Sequence, residues 1–204
     1  MKHLKEIPYL KELLLLSQKK KLTIYIVGGF LRDHFLDRSG YDFDFTVNKD
    51  AITLARAFAK SIKGAFVLLD EEHPCGRVVK KDKNQIYTFD FSNYRAKSLV
   101  EDLKLRDFTV NAICLDIAKA QKEVSKHLLD PQKGLKDLKL KVIRMVASRA
   151  FSDDPLRLMR AFSLYAQLGF KIEAKTFRQI KKDADLISKV SMERVREELM
   201  KVFT

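Results

Sequence analysis

The sequence predicts an α+β protein in which an N-terminal unit of strands and helices precedes an all-helical unit. Segments rich in β-branched and aromatic residues recur up to about residue 116, separated by helical patterns and polar turns. After about residue 134 such segments no longer cluster, and apolar residues recur at helical spacing to the end. We therefore expect two domains, residues 1–133 and residues 134–204.

The apolar pattern of the first domain predicts three helices, over residues 4–20, 30–36 and 51–62. Strands are expected at 22–27, 41–47, 65–70, 76–80 and 86–94, while 108–116 fits a strand or a helix. The second domain is expected to hold helices at 155–168, 175–187 and 191–202. Asp153, Asp154 and Pro155 are typical of a helix start, and Gly169 is typical of a helix end.

The net charge of +13 favours a polyanionic partner, either nucleic acid or an anionic membrane surface. No apolar run approaches the roughly 20 residues that a membrane span requires, and the N-terminus lacks the pattern of a signal peptide. Two cysteines, Cys75 and Cys114, are too few for a disulfide framework or a structural zinc site. We expect free thiols in a cytoplasmic protein.

Asp42 and Asp44 flank Phe43 within a predicted strand, so both carboxylates lie on the same face of that strand. Two adjacent carboxylates repel each other unless a cation lies between them, and their hard oxygen atoms suit Mg²⁺. Metal ions held roughly 3.5–4 Å apart are the usual device for in-line phosphoryl or nucleotidyl transfer. An isolated Asp-x-Asp is more often the solvent face of an edge strand, so its assignment as a metal site depends on the surrounding residues.

Gly28 and Gly29 join a predicted strand to a predicted helix, where backbone N–H groups can approach a phosphate closely. Arg32 follows in the first turn of that helix, which makes these three residues a candidate phosphate-binding element. Asp90 lies between two phenylalanines on another predicted strand. If that strand lies beside the strand of Asp42 and Asp44, Asp90 can be the third catalytic carboxylate. Otherwise it is a half-exposed strand residue.

Five segments, in order along nearly the whole chain, resemble the signatures of class II tRNA nucleotidyltransferases and bacterial poly(A) polymerases. The resembling segments are 27–33 with 42–46, then 105–112, then 130–134 with 137–144, then 153–157 with 167–170, and 193–199. Three positions depart from the family pattern: Leu105 replaces a frequent Arg, Asp153 a usual Glu and Asp37 a common Gly. None of these departures removes an expected metal ligand.

The resemblance implies a polymerase-β-like nucleotidyltransferase head, a mixed sheet with helices, followed by an all-helical neck. It implies that Asp42 and Asp44 ligate two Mg²⁺ ions. Residues near the ribose would be Arg106, Asp107 and Asn111, and residues that read the base would be Asp154, Arg157 and Arg160.

Asp154 and Arg157 are three residues apart, so on one helix they would present a carboxylate and a guanidinium together. Adenine and cytosine both offer an exocyclic amine beside a ring nitrogen acceptor, which that pair complements. Guanine and uracil present a carbonyl beside a ring N–H and would be rejected. The competing interpretation is an exposed ion pair that supports the helix start.

The expected function is template-independent addition of CMP, AMP or both, from CTP and/or ATP, to the tRNA 3′ acceptor end, with release of pyrophosphate. The alternatives are a bacterial-type poly(A) polymerase and a non-catalytic RNA-binding subunit of a split enzyme. The motifs leave open whether CCA, CC, A or poly(A) is added; the family varies with product around residues 69–72. The family's body and tail regions are expected to lie outside these residues, and a partner subunit or a homo-oligomer is one way to supply them.

Overall fold

A computed structural model describes residues 7–70, 74–121 and 125–203. The chain forms two compact units: unit 1 contains Met1–Asp102 and Ile113–Leu129, and unit 2 contains Leu103–Ala112 and Asp130–Thr204. The predicted first domain therefore includes two stretches, 103–112 and 130–133, that pack within unit 2. No described helix is long and apolar enough to cross a membrane.

Unit 1 is built on a mixed sheet of seven described strands in the order β3-β4-β5-β2-β1-β6-β7. Strands β2 and β5 run parallel, and all other neighbours are antiparallel. The elements are α1 Leu10–Lys19, β1 Ile24–Val27, α2 Gly29–Phe35, β2 Asp42–Val47, α3 Ala51–Ile62, β3 Ala65–Asp70, β4 Cys75–Asp82, β5 Gln85–Asn93, α4 Leu99–Leu103, β6 Cys114–Asp116 and β7 Leu128–Leu129. This mixed sheet with helices confirms the predicted fold class.

The core of unit 1 is an aromatic layer between the sheet and α3. Phe43 of β2 stacks on Phe89 of β5 with ring centroids 5.2 Å apart, and Phe45 stacks on Phe91 at 5.1 Å. Phe58 of α3 meets both β5 rings edge-on, at 5.2 and 5.7 Å. Truncating one such phenylalanine to alanine costs about 3–5 kcal/mol, so this layer fixes which face of β2 is buried.

Gly76 in β4 allows α3 to approach the sheet closely. A Cβ atom at this position would lie 2.9 Å from Phe66 Cε2 and 3.0 Å from Ala55 Cβ. Any larger residue would push α3 away from the sheet. Strand β4 pairs antiparallel with β5, and the outer faces of these two strands carry Arg77 and Asp90.

Unit 2 is mainly helical. It contains a 3₁₀ turn at Thr109–Asn111, α5 Gly134–Leu140, β8 Val142–Ile143, α6 Ala150–Asp153, α7 Leu156–Leu168, β9 Lys171–Ile172, α8 Ala174–Asp183, a 3₁₀ segment at Ala184–Lys189 and α9 Met192–Met200. Strands β8 and β9 form a two-stranded parallel pair, so the expectation of an all-helical unit is wrong in this detail. The ambiguous segment 108–116 is neither one helix nor one strand: the 3₁₀ turn precedes β6.

The boundaries of α7 correct one prediction and confirm another. Asp153 ends α6 instead of starting α7, and Asp154 has extended backbone angles, φ −149° and ψ 101°. Pro155 is the N-cap position of α7, and the fixed φ of proline suits that position. Gly169 ends α7 with φ 66°, the left-handed conformation expected of a glycine that terminates a helix.

Candidate active site

Asp42 and Asp44 lie on the face of the sheet opposite the aromatic layer. Because side chains alternate along β2, burial of Phe43 and Phe45 directs both carboxylates to the other side. Asp42 is exposed and Asp44 is half-buried. The predicted pairing of the two carboxylates on one face is therefore present in the structure.

Asp90 lies beside Asp44, because β5 runs parallel to β2 with these residues in register. The two strands are neighbours, as the sequence hypothesis required. Asp90 is nevertheless already engaged: Arg77 of β4 donates to both of its oxygens, at 2.8 and 2.7 Å. Arg77 would therefore compete with a metal ion for the oxygen atoms of Asp90.

Arg77 is the residue of this face that the sequence analysis missed. The hydrogen bond to Asp90 raises the pKa of the Arg77 guanidinium, and the charges of Asp90 and Asp42 add to that effect against the opposing effect of burial. Its position between buried Gly76 and Val78 predicts an outward side chain. Its partner depends on the β4–β5 register, which no local pattern reveals.

The described residues contain no group of three or more His, Cys, Asp or Glu side chains that could hold a metal. Mg²⁺ is usually held by one or two carboxylates, with water and substrate phosphates completing its ligands. The Asp42 and Asp44 pair fits that requirement in number and in chemistry. Water or the phosphates of a nucleotide would have to complete the ligands of a metal ion at this face.

The predicted phosphate-binding turn begins one residue after Val27, whose register partner on β2 is Asp44. Gly28 has φ 74° and ψ −142°, a conformation that favours glycine, and Gly29 starts α2. The guanidinium of Arg32 makes two 2.8 Å bonds to the Asp33 carboxylate, which offsets its charge. The glycine turn thus lies beside the carboxylate pair, and the phosphate-binding role of Arg32 stays a prediction.

In unit 2, the predicted ribose residues form a buried cluster around Asp107. Its Oδ1 accepts from the Phe108 N–H at 2.7 Å, Asn111 Nδ2 lies 3.2 Å from each oxygen, and Arg160 Nε lies 3.1 Å from Oδ2. Burial alone would raise the pKa of Asp107, but Arg160, the Phe108 N–H, Arg157 and Asn111 outweigh it and lower the pKa. Arg106, the preceding residue, is half-buried.

Arg157 is buried in unit 2 and donates hydrogen bonds to its backbone. The residue is 6% exposed, and its guanidinium donates to the carbonyl oxygens of Ala150 at 3.1 Å and Leu105 at 2.9 Å. Leu105, one of the departures from the family pattern, thus contributes its backbone here. The competing interpretation, an exposed ion pair between Asp154 and Arg157, does not fit the structure, because the Arg157 side chain is buried.

Asp154 lies outside α7, so the expectation that it shares a helix face with Arg157 is also wrong. Its Oδ1 accepts from the Leu156 N–H at 3.3 Å and lies 3.5 Å from Arg194 Nη2, while Oδ2 lies 3.9 Å from Arg157 Nε. The structure therefore places the Asp154 carboxylate near the Arg157 guanidinium although the two residues do not share a helix face. Arg194 is a further cation at this position that the sequence analysis did not assign.

The geometry of unit 1 thus brings together Asp42, Asp44, Asp90 and the Gly28 turn. Unit 2 brings together the predicted ribose and base residues Asp107, Asn111, Asp154, Arg157 and Arg160. Glu71 and Glu72, part of the segment where product differences are expected, lie outside the described residues.

Comparison with known proteins finds two family models on this chain. The "Poly A polymerase head domain" covers residues 24–144, and the "Probable RNA and SrmB-binding site of polymerase A" covers residues 169–204. The CC-adding tRNA nucleotidyltransferase of Geobacter sulfurreducens is 39% identical over 178 residues, which is 87% of this chain and 40% of that protein.

Two solved structures are similar in both sequence and fold. A Thermotoga maritima CCA-adding enzyme complexed with tRNA aligns with a TM-score of 0.79 and 28% identity, over 95% of this chain and 46% of that one. A tRNA nucleotidyltransferase complexed with a primer tRNA and an incoming ATP analog aligns with a TM-score of 0.76 and 30% identity, over 92% of this chain and 55% of that one.

The chain spans about 40% to 55% of the length of these three proteins. The head-domain model alone matches more than half of the 204 residues, from 24 to 144. It also contains the carboxylate pair, the glycine turn and the Asp107 segment. On that match, this chain belongs to the poly A polymerase head-domain family.

Proposed function

We propose that this chain is the catalytic and base-reading part of a template-independent RNA nucleotidyltransferase that adds CMP, AMP or both to the 3′ end of tRNA. The observation that carries the proposal is the carboxylate pair Asp42 and Asp44, held on one face by the aromatic layer and next to the Gly28 turn. The relatives named above act on tRNA, which supports tRNA as the acceptor. A cytoplasmic location is part of the proposal.

Asp42 and Asp44 would hold two Mg²⁺ ions. When bound, these ions supply Lewis-acid stabilisation of charge on the attacking and leaving oxygens. The RNA 3′-oxygen attacks the α-phosphorus, the bond from that phosphorus to the bridging oxygen of the β-phosphate breaks, and pyrophosphate leaves. The Gly28 turn supports the triphosphate beside the carboxylates, with Gly29 and Arg32 at the start of α2.

Arg77 has two effects in this arrangement. Its positive charge, close to Asp42 and bonded to Asp90, reduces repulsion among the three carboxylates before a metal binds. It also competes with a metal ion for the oxygen atoms of Asp90. Asp90 therefore acts in catalysis through its partner, unless the nucleotide displaces Arg77.

Unit 2 would orient the nucleoside. Arg106, Asp107 and Asn111 lie near the ribose, where the Arg160 and Asn111 contacts keep the Asp107 carboxylate ionised and fixed. Asp154 and Arg157 would read the amine and ring nitrogen of adenine or cytosine, with Arg160 beside them. The backbone bonds of Arg157 hold its guanidinium in one orientation, which suits selection by fixed hydrogen bonds.

The deciding experiment incubates the chain with tRNA that lacks its 3′ end, Mg²⁺ and one labelled nucleotide at a time. We expect incorporation of CMP, AMP or both, and none of GMP or UMP. Long A-only products would favour the poly(A) polymerase alternative. RNA binding without incorporation, with or without an added partner subunit, would contradict catalysis by this chain and favour the binding-subunit alternative.

Base reading is tested separately with Asp154→Asn, which keeps size but replaces an acceptor-only group with an amide that also donates. We expect the preference for ATP or CTP over GTP and UTP to narrow about tenfold or more, since one unsatisfied buried group costs about 1–3 kcal/mol. Arg194→Ala is the matched control, because it removes a neighbour of Asp154 without changing the acceptor. Unchanged selectivity in Asp154→Asn would contradict the base-reading role.

A further inference from the structure

Thr46 of β2 is a fully buried threonine whose hydroxyl has no hydrogen-bond partner among the described residues. A hydroxyl that leaves water without gaining a partner destabilises the folded protein, whereas valine has nearly the same shape without that cost. The next residue on the strand is Val47, which is also 0% exposed, so the backbone of β2 accepts valine. Packing alone therefore does not explain a threonine at this position.

Thr46 lies on the carboxylate face, two residues along β2 from Asp44. Side chains two residues apart on a strand share a face, and their Cα atoms are about 6.6 Å apart. The strand register places Tyr25 of β1 on one side of Thr46 and Ser92 of β5 on the other. Thr46 and Asp44 are therefore consecutive polar side chains on the face proposed to bind metal.

The part of this face around Thr46 is poor in water. The ring centroids of Tyr25 and Tyr94 lie 6.5 Å apart, and burial is the main cause that raises the pKa of both phenol groups. Ser92 carries a hydroxyl beside Thr46, but the two do not bond. Because a hydrogen bond away from water is electrostatically stronger than one in water, Thr46 is well placed to hold a charged group.

The Asp44 carboxylate is the group that the Thr46 hydroxyl fits. An ionised carboxylate only accepts hydrogen bonds and has about four lone-pair sites, while the hydroxyl has one proton to donate. A metal ion occupies some of those sites and leaves others for a donor. Across about 6.6 Å between Cα atoms, the two groups can meet directly or through one water. Donors that bond to a metal ligand orient it, and their loss typically weakens metal binding or activity by about 10- to 100-fold.

We propose that Thr46 is a positioning residue for Asp44, and that its hydroxyl donates to the Asp44 carboxylate, directly or through one water, when Mg²⁺ binds. The inference rests on the proposed function, because the metal-binding role of Asp44 belongs to it. Thr46 touches neither metal nor nucleotide, and acts by limiting the orientations of the carboxylate. Its hydroxyl thus destabilises the metal-free chain and strengthens the metal complex.

Thermal unfolding without metal tests the effect on stability. Thr46→Val should raise the melting temperature by about 2–4 °C, because it removes an unpaired buried hydroxyl. Thr176→Val is the matched control: Thr176 is also 0% exposed, but its hydroxyl accepts from the Met145 N–H at 3.0 Å and donates to Glu173 at 2.8 Å. There the same substitution should lower the melting temperature. An unchanged or lower melting temperature for Thr46→Val would overturn the proposal, because the hydroxyl would then not be unpaired in the metal-free chain.

Binding of Mn²⁺ together with ATP or CTP, followed by electron paramagnetic resonance without RNA, tests the effect on metal binding. Thr46→Val should weaken Mn²⁺ binding by about tenfold or more, while Thr46→Ser, which keeps the hydroxyl, should stay within about twofold of wild type. In the Asp44→Ala background, Thr46→Val should have no further effect. Equal loss in Thr46→Val and Thr46→Ser, or the full loss in the Asp44→Ala background, would exclude a hydroxyl that acts through Asp44.

Nucleotide incorporation separates this inference from the proposed function. Thr46→Val should lower kcat and leave the KM for tRNA unchanged, with Thr46→Ser close to wild type. Metal binding that responds to Thr46→Val as expected, in a chain that incorporates no nucleotide, would contradict the proposed function alone. Incorporation by the wild type with equal kcat and equal Mn²⁺ affinity in Thr46→Val would contradict this inference alone.

Discussion

The carboxylate face of unit 1, which carries Asp42 and Asp44, and the Asp107 cluster of unit 2 differ in how deeply their charged residues are buried. Asp42 is exposed and Asp44 half-buried, on a strand that the aromatic layer on the other side holds in place. Asp107 and Arg157 are 7% and 6% exposed and are bonded to backbone groups of their own unit. The first set belongs to the surface of a fold that other residues stabilise, while the second set is part of the fold.

This difference predicts how activity and stability separate. Substitution of Asp42 or Asp44 should affect chemistry and leave the fold intact, because Asp42 is exposed and Asp44 is only half-buried. Substitution in the Asp107 cluster should affect both, because buried polar groups would be left unsatisfied. The following variants test the separation.

The largest effect is expected for Asp44→Ala. Loss of a metal-ligating carboxylate should reduce nucleotide incorporation by about 10³-fold or more, since metal stabilisation of the transition state contributes several kcal/mol. The free energy of unfolding should stay unchanged or rise slightly, because repulsion with neighbouring carboxylates is relieved. Denaturant unfolding and single-nucleotide incorporation provide the two measurements, with Asp82→Ala on β4 as the carboxylate control. An Asp44→Ala protein that folds and keeps near wild-type turnover would contradict the metal assignment.

Arg157→Ala should be the most destabilising variant in unit 2. It removes the donors to the Ala150 and Leu105 carbonyl oxygens inside a buried site, which should cost about 2–5 kcal/mol. Arg194→Ala, whose side chain is 55% exposed, should change stability by less than about 0.5 kcal/mol. Equal melting temperatures for these two variants would show that the buried contacts of Arg157 contribute no more to stability than the exposed side chain of Arg194.

Asp107→Asn should reveal an acid-dependent part of the stability. The folded pKa of Asp107 lies below the ordinary value of 3.8, so its contribution is fully present above that value and is lost as the pH falls through the folded pKa. The stability difference between wild type and Asp107→Asn should therefore be largest near pH 6 and shrink as the pH falls below the ordinary value of 3.8 and through the folded pKa. A difference that does not change with pH would mean that the lost contacts, and not the charge, carry the effect.

Arg77→Ala should change stability by about 1 kcal/mol or less, because the side chain is 40% exposed and exposed ion pairs contribute little. Its effect should appear in the metal dependence of catalysis, since Asp90 is released and repulsion near Asp42 increases. We expect a shift in the Mg²⁺ concentration for half-maximal activity, and the same shift should be smaller in the Asp90→Ala background. Additive shifts in the double variant would show that the two residues do not act as a pair.

The smallest effect is expected for Asp37→Gly. Asp37 follows α2 with φ 54°, a left-handed conformation that favours glycine, and the resembling family commonly has glycine there. The substitution should stabilise the chain by about 0.5 kcal/mol, the lower backbone strain being partly offset by a more flexible unfolded state. Thermal unfolding checks the sign, with Asp33→Gly in α2 as a destabilising control. The Asp37→Gly substitution should leave activity per folded molecule unchanged.

The sequence by itself determined the elements whose cause is local. Strand alternation around Phe43 and Phe45 set the carboxylate face, and Gly169 set the end of α7, because the period of two and the freedom of glycine act within a few residues. The ambiguous segment after Phe108 could not be resolved in this way, because its short 3₁₀ turn is fixed by contacts such as that of Thr109 with Asp137, 28 residues further on.

Only the tertiary structure decided which charges meet. Arg77 reaches Asp90 because of the β4–β5 register, and Arg157 reaches the Leu105 carbonyl across 52 residues of sequence. A side chain's type predicts what it can bind, but the fold determines whether a distant donor has already engaged it. For the same reason Asp154, predicted to lie on a helix, is held by its contacts just before one: α6 ends at Asp153 and the chain must turn before α7 begins.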